Sequence, residues 1–172
     1  MKTVAELLSF FIGSIPFARI WSFLLGGQDV SKHGSRNVGT SNAWRVNGKL
    51  IGILTALSDV LKGFLCMLLP GHATKNGALA VLGHMYTPWT NGKGVATLFG
   101  ITLAIFKLYA LIPICLWIAL VSLKVKPRHA SYTALSIILL LSYLSSNEET
   151  FYTFIILAIA IIFKHETSKH KI

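Results

Sequence analysis

The chain has 172 residues, 53% of them hydrophobic and only 13% charged, with a mean hydropathy of +0.64. A soluble fold of this size has too little polar surface to cover so many apolar side chains, which excludes an ordinary water-soluble domain and makes lipid the natural solvent. The net charge of +10, from 16 Lys and Arg against 6 Asp and Glu, would suit nucleic acid in a soluble protein. Here the basic residues lie between hydrophobic runs, which points to loops at a membrane face and to anionic substrates or lipids.

In chain order the apolar runs cover 4–25, 50–69, 76–89, 95–108, 109–123, 131–145 and 151–163. Each is long enough to be helical. Several are shorter than the ~20 residues that cross a hydrocarbon core, so short helices opening into a polar vestibule are expected. No small-residue cleavage site follows the first run, which therefore reads as an anchor. Within it, Gly13-Ser14-Ile15-Pro16 predicts a kink with close helix contact. The second run carries Asp59 and Lys62, three apart on one helix face; either charge alone in lipid is costly, so the two are expected to pair or face the bundle interior as structural support. Lys107 and Pro113 predict a break near 107–110; without it, 95–123 is one span and the count falls to six. Cys66 and Cys115 lie inside apolar runs and read as small buried hydrophobes. The histidines have no Cys or carboxylate partners at ligand spacing, so neither a metal nor a cofactor is expected.

Charge decides between the counts. With seven spans and the N-terminus outside, one face receives Lys32, Arg36, Arg45, Lys49, Lys93, Lys124, Lys126, Arg128, Lys164, Lys169 and Lys171; the other receives Lys2, Lys75 and Lys107, with Glu148 and Glu149. Six spans would split the basic segments between the two faces. The rich face is expected to be cytoplasmic, with the C-terminus there. The expectation is one all-α, multi-pass membrane domain over 1–172 with about seven short helices. The polar stretch 26–49 is too short to fold alone and must rest on them.

Two polar segments stand out. Ser35-Arg36-Asn37-Val38-Gly39-Thr40-Ser41-Asn42-Ala43-Trp44-Arg45 combines small residues, hydrogen-bond donors and a guanidinium fork suited to phosphate. Gly39 is expected to free the local dihedrals. Taken alone, the segment also reads as an interfacial loop entering a helix cap. In Gly92-Lys93-Gly94 an ammonium sits between two glycines at the mouth of a helix; taken alone it reads more readily as a charge anchor between spans than as an anion site. His84 fits a core or capping histidine. His165, at the end of the last run, would face the same side as Arg45 and Lys93. Ser35, Arg45, Lys93 and His165 thus come from four distant segments to one face, as a phosphate-bearing substrate requires. A small-anion transporter would also use such a face, but its polar residues would continue through the bundle.

These residues resemble the bacterial integral-membrane acyl-phosphate:glycerol-3-phosphate acyltransferases (the PlsY type). The family pattern G-S-G-N-x-G-A-T-N-x-x-R is matched from Gly34 to Arg45, D-x-x-K-G from Asp59 to Gly63, and G-S-I-P-F from Gly13 to Phe17. G-H-x-x-P followed by K-G-G-K-G-V-A-T is resembled at Gly83-His84 and then from Thr90 to Thr97; the last-helix R-H-R-E-N is echoed weakly by Lys164-His165-Glu166. The matches run in order over essentially the whole chain. Departures are Arg36 for a small residue, Ser41 for Thr, and Thr90-Asn91 for Lys-Gly. The third motif lacks its second Arg and its Asn, and Thr167 or Ser168 stands near the latter place.

The resemblance implies acyl transfer from acyl-phosphate to the 1-hydroxyl of sn-glycerol 3-phosphate, giving 1-acylglycerol 3-phosphate and phosphate, at the cytoplasmic face of a bacterial inner membrane. It implies Ser35, Arg45, Lys93 and His165 as catalytic residues and Asn37, Gly39, Asn42, Gly92 and Gly94 as substrate-binding ones. The partners it implies are the two substrates and membrane lipids, with no nucleic acid, and the state a monomer. A divergent paralogue with altered substrate is the alternative. The H-x-x-x-x-D signature of acyltransferases that use acyl-CoA or acyl carrier protein is missing: no His here has an Asp five residues later.

Overall fold

The computed structural model describes residues 2–168; Lys169 and Lys171 of the charge argument lie outside the described residues. Among the described residues the regular structure is helical: α1 (Lys2–Gly13), α2 (Phe17–Leu24), α3 (Thr40–Asn47), α4 (Lys49–Met67), α5 (Ala73–Tyr86), α6 (Val95–Phe106), a 3₁₀ turn (Lys107–Ala110), α7 (Leu111–Ser122), α8 (Pro127–Leu144) and α9 (Glu148–Thr167). Local chemistry sets several ends. Pro127 begins α8, where its missing N–H and fixed φ are no cost. The Asn147 side chain caps α9 by accepting from Thr150 N at 2.9 Å, with Glu148 and Glu149 in the first turn and Lys164 in the last, each sign matched to the helix dipole.

The outer surface carries apolar side chains, among them Leu7, Phe11, Leu57, Leu61, Leu140, Ile156, Ile159 and Phe163, while Asp59, Lys62, Asn76, His84, Thr97 and His165 are buried. That inversion is what a lipid solvent selects. Three stretches are long and apolar enough to cross a membrane, Lys49–Met67, Val95–Ser122 and Glu148–Thr167, and α1 with α2 makes a fourth if that bent pair is one span. Cys66 is buried, but Cys115 is exposed on α7. The uniformly apolar sequence around Cys115 could not show which side of that helix faces outward.

α4 is the hub, packing against α6, α3, α5, α2 and α1. The expected kink is a 47° bend between α1 and α2, and Gly13 lets α1 approach α5 so closely that a Cβ there would land on the Ala80 carbonyl. One apolar core, including Met85, Leu98, Ile101, Ile138, Phe154 and Leu157, joins α5, α6, α8 and α9. A second, of Ala18, Val30, Val38, Ala43 and Ile51, fastens the polar stretch onto α2, α3 and α4.

Contacts between elements define two ends of the bundle. Glu6 pairs with Lys75 at 2.9 Å, placing the start of α1 beside the start of α5. At the opposite end Lys164 lies over the Tyr86 ring, 5.0 Å from its centroid, and Arg128 lies 3.7 Å from Glu166, which brings the end of α5, the start of α8 and the end of α9 together. The chain leaves this end along α6 and is back at it by Arg128. A straight helix over Val95–Ser122 would be ~42 Å long, more than residues 123–126 could recover. The reversal therefore falls at Lys107–Ala110, where Lys107 adopts φ +50°.

Candidate active site

The first wall of the site is the polar stretch. Asn42 is buried beneath it: its carbonyl oxygen accepts from Ser35 N at 2.9 Å, and its amide donates to the carbonyls of Val30 (2.9 Å) and His33 (3.0 Å). Asn42 was expected to bind substrate; both N–H groups of its amide are engaged in shaping the loop. Asn47 adds a second staple, bonding to Gln28 and to the Ser22 hydroxyl. Asp29, which accepts from the backbone and hydroxyl of Ser31, pairs with Arg19 at 3.3 Å. So held, the loop presents Ser35, whose hydroxyl accepts from Arg45 at 3.4 Å, while Arg45 Nε donates to the Ser41 carbonyl at 3.1 Å.

The backbone corrects the expectation for Gly39, which is extended (φ −156°, ψ 171°), a conformation open to any residue. Its missing side chain leaves room for Asn37, whose Oδ1 would lie 2.9 Å from a Cβ there. The left-handed positions are Gly34 (φ +60°) and Arg36 (φ +54°). Arg36 stands where the family pattern has glycine, so the fold keeps the conformation and carries the strain of a side chain in it. Asn91 (φ +48°) likewise replaces a glycine of the second motif, and asparagine tolerates that region best after glycine.

The second wall is the turn between α5 and α6. Thr90, in place of the pattern's Lys, is buried, its hydroxyl bonded to that of Thr87 and to the Gly83 carbonyl. Gly92 N donates to the His84 carbonyl at 3.0 Å, and a Cβ on Gly92 would strike the His84 ring. Gly94 caps α6 in the left-handed region (φ +81°). Lys93 is held between them, half-buried. Burial, with the guanidinium groups of Arg45 and Arg128, pushes its ammonium below the ordinary lysine range. Three cations, of which Arg128 alone has a carboxylate (Glu166) beside it among the ion pairs of the described residues, suit an anion, and the N-terminus of α6 adds its dipole.

The third wall is α8 with α9. His165 is buried, with no hydrogen-bond partner at either ring nitrogen, and meets the edge of Tyr132 at 5.8 Å between ring centroids. Lys93 and Arg128 both act on it electrostatically. Tyr132 donates to Glu166 at 2.6 Å, and the same carboxylate oxygen lies 3.7 Å from Arg128. Sequence reasoning counted Arg128 only as a loop charge, quoted Glu166 in the last-helix motif without giving it a role, and missed Tyr132. The one available signal was Arg128 directly after a helix-starting Pro127, four residues before Tyr132 and so on its face. The structure thus joins Ser35 to Arg45 directly and gathers Arg45, Lys93, Arg128 and His165 within electrostatic range. It puts Gly92 and Gly94 beneath the lysine.

Comparison with known proteins follows the same lines. A family model described as glycerol-3-phosphate acyltransferase matches residues 3–172. The chain is 32% identical over 173 residues to a glycerol-3-phosphate acyltransferase of Mesorhizobium japonicum (96% of this chain, 89% of that one). It is 34% identical over 169 residues to one of Thermotoga petrophila (92% and 86%). The fold matches the crystal structure of PlsY (YgiH), an integral membrane glycerol 3-phosphate acyltransferase, in its glycerol 3-phosphate form with a TM-score of 0.88 and 29% identity over 99% of this chain and 90% of that one. The lysophosphatidic acid form of the same protein gives 0.86.

Proposed function

The chain belongs to the glycerol-3-phosphate acyltransferase family, and on that premise we propose that it takes its acyl group from acyl-phosphate and delivers it to the 1-hydroxyl of sn-glycerol 3-phosphate. The hydroxyl oxygen attacks the acyl carbonyl carbon, the carbon–oxygen bond to phosphorus breaks, and inorganic phosphate leaves. The donor is an activated mixed anhydride, so a phosphate oxygen of the substrates can take the hydroxyl proton. The protein then supplies proximity and charge stabilisation. The observation that carries this reading is the meeting of Arg45, Lys93 and Arg128 beside a buried His165 with both ring nitrogens unpartnered.

In this reading Arg45 and Lys93 hold phosphate oxygens, and Ser35 and His165 orient the substrates. Asn37, Gly39, Gly92 and Gly94 shape the surface on which the phosphate rests, and Asn42 positions Ser35 from below. Seven spans, with α1 and α2 as one and α6 and α7 as two, fit the chain reversal at Lys107–Ala110. The basic end is then cytoplasmic, in a bacterial inner membrane, with the N-terminus outside, the whole chain one domain and the working state a monomer. The transporter alternative requires a polar path to the far side, whereas the Asp59, Lys62 and His84 side chains inside the bundle are engaged in contacts with one another.

Removing one preorganised phosphate donor is expected to cost about 10²–10³ in turnover. Lys93→Ala and Arg45→Ala should each lower the rate of lysophosphatidic acid formation on that scale. Normal turnover in Lys93→Ala would remove its assigned role.

A further inference from the structure

Asp59, Lys62 and His84 form a second polar group, buried in the bundle behind the anion site. Lys62 Nζ lies 2.7 Å from Asp59 Oδ1, donates to the Ile15 carbonyl at 3.0 Å, and lies 2.8 Å from His84 Nδ1. An ammonium has only protons to give, so Nδ1 accepts and the ring proton sits on Nε2. The group joins three elements: Ile15 is at the bend between α1 and α2, the ion pair is on α4, and His84 is in the last turn of α5.

The same histidine touches the substrate turn. Gly92 N donates to its carbonyl, and the glycine lies so close that a Cβ would strike Nε2; the next residue is Lys93. The other side of the turn is tied to the same bend, since Trp89 Nε1 donates to the Ser14 carbonyl at 2.9 Å. Two routes therefore run from the α1–α2 bend to the turn, one through Trp89 and one through Lys62 and His84. Charge balance alone would need only Asp59 opposite Lys62. The bond to His84, and the pressing of that ring on Gly92, go beyond it.

We propose that Lys62 and His84 are positioning residues, setting the height and direction of the Gly92–Gly94 turn so that the Lys93 ammonium meets the substrate phosphate. The proposal rests on the reading of Lys93 as a phosphate ligand. Its test is the affinity of the purified protein for glycerol 3-phosphate in wild type, Lys93→Ala, Lys62→Met, Lys62→Met/Lys93→Ala and the charge-free Asp59→Leu/Lys62→Met. The last variant guards against misfolding, because a buried ion pair replaced by apolar residues commonly leaves the fold intact. Both Lys62 variants are expected to bind about tenfold more weakly. Adding Lys62→Met to Lys93→Ala is expected to change nothing further, because the lysine acts through Lys93; a loss of general packing would add instead. His84→Asn, which keeps an acceptor near Nδ1, should bind better than His84→Leu. Wild-type affinity in Lys93→Ala would overturn the phosphate reading and the proposal with it. Loss in Lys93→Ala with normal binding in both Lys62 variants, additive losses, or unfolding of the charge-free variant would overturn the proposal alone.

Discussion

Lys93, in the role proposed for it, works against the stability of its own fold. Burial, Arg45 and Arg128 disfavour its charged form, and a phosphate dianion among them would reverse the balance. The folded pKa is depressed, so between it and the unfolded value the unfolded chain binds more protons, and stability rises with pH there; below the folded pKa the full penalty is present. Lys93→Gln removes that penalty. Without ligand near neutral pH, it is expected to melt above wild type, as relieving an uncompensated charge at a ligand site commonly does. Thermal unfolding in detergent with and without inorganic phosphate checks this; an unchanged or lower melting point without ligand would contradict it. At this scale the sequence was partly legible. Residue types and order singled out Ser35, Arg45, Lys93 and His165 as candidates, but they could not separate Asn42, which builds the loop, from residues that face solvent. Nor could they show that Arg36 and Asn91 stand in left-handed backbone.

Helix packing in this chain depends on glycine at two crossings. Between α4 and α6, a Cβ on Gly63 would land on the Thr97 carbonyl, and one on Gly100 would land on that of Val60. Between α1 and α5, Gly13 and Gly83 play the same part against Ala80 and Phe10. Apolar side chains gain nothing from leaving lipid, so close backbone approach and dispersion supply what hydrophobic burial would in water. Gly100→Ala must push the helices apart and is expected to cost about 1–3 kcal/mol. A thermal unfolding series would measure it, and a neutral result would show that the crossing can yield. Element positions were largely legible from apolar runs and their breaks: the kink at Gly13–Pro16 and the break at Lys107 lie where glycine, proline and charge predicted. Which face each helix turns inward was not, because lipid and protein interior demand the same apolar side chains. Cys115, expected inside, is exposed for that reason, and Arg128, Tyr132 and Glu166 meet across α8 and α9, whose register no local pattern records.

Over the whole molecule, one end of the bundle carries Arg45, Lys93, Arg128 and Lys164, and the opposite end carries the Glu6–Lys75 pair. The positive-inside rule turns this asymmetry into an orientation. With Cys66 and Cys115 replaced, a cysteine at Lys49 is expected to react with a membrane-impermeant thiol reagent only from the cytoplasmic side, and one at Glu149 only from outside. The reverse pattern would invert the topology, and labelling of both positions from one side would break the seven-span reading. In the proposed seven-span reading, alternating helices return each polar connection to one face, so that four segments far apart in the chain meet where a soluble headgroup substrate can reach an acyl chain from the bilayer. The most direct test supplies the purified protein with glycerol 3-phosphate and either palmitoyl-phosphate or palmitoyl-CoA, following lysophosphatidic acid and released phosphate. Product and stoichiometric phosphate from palmitoyl-phosphate alone is the expected result; product from palmitoyl-CoA instead, or none from either donor by folded protein, would contradict it.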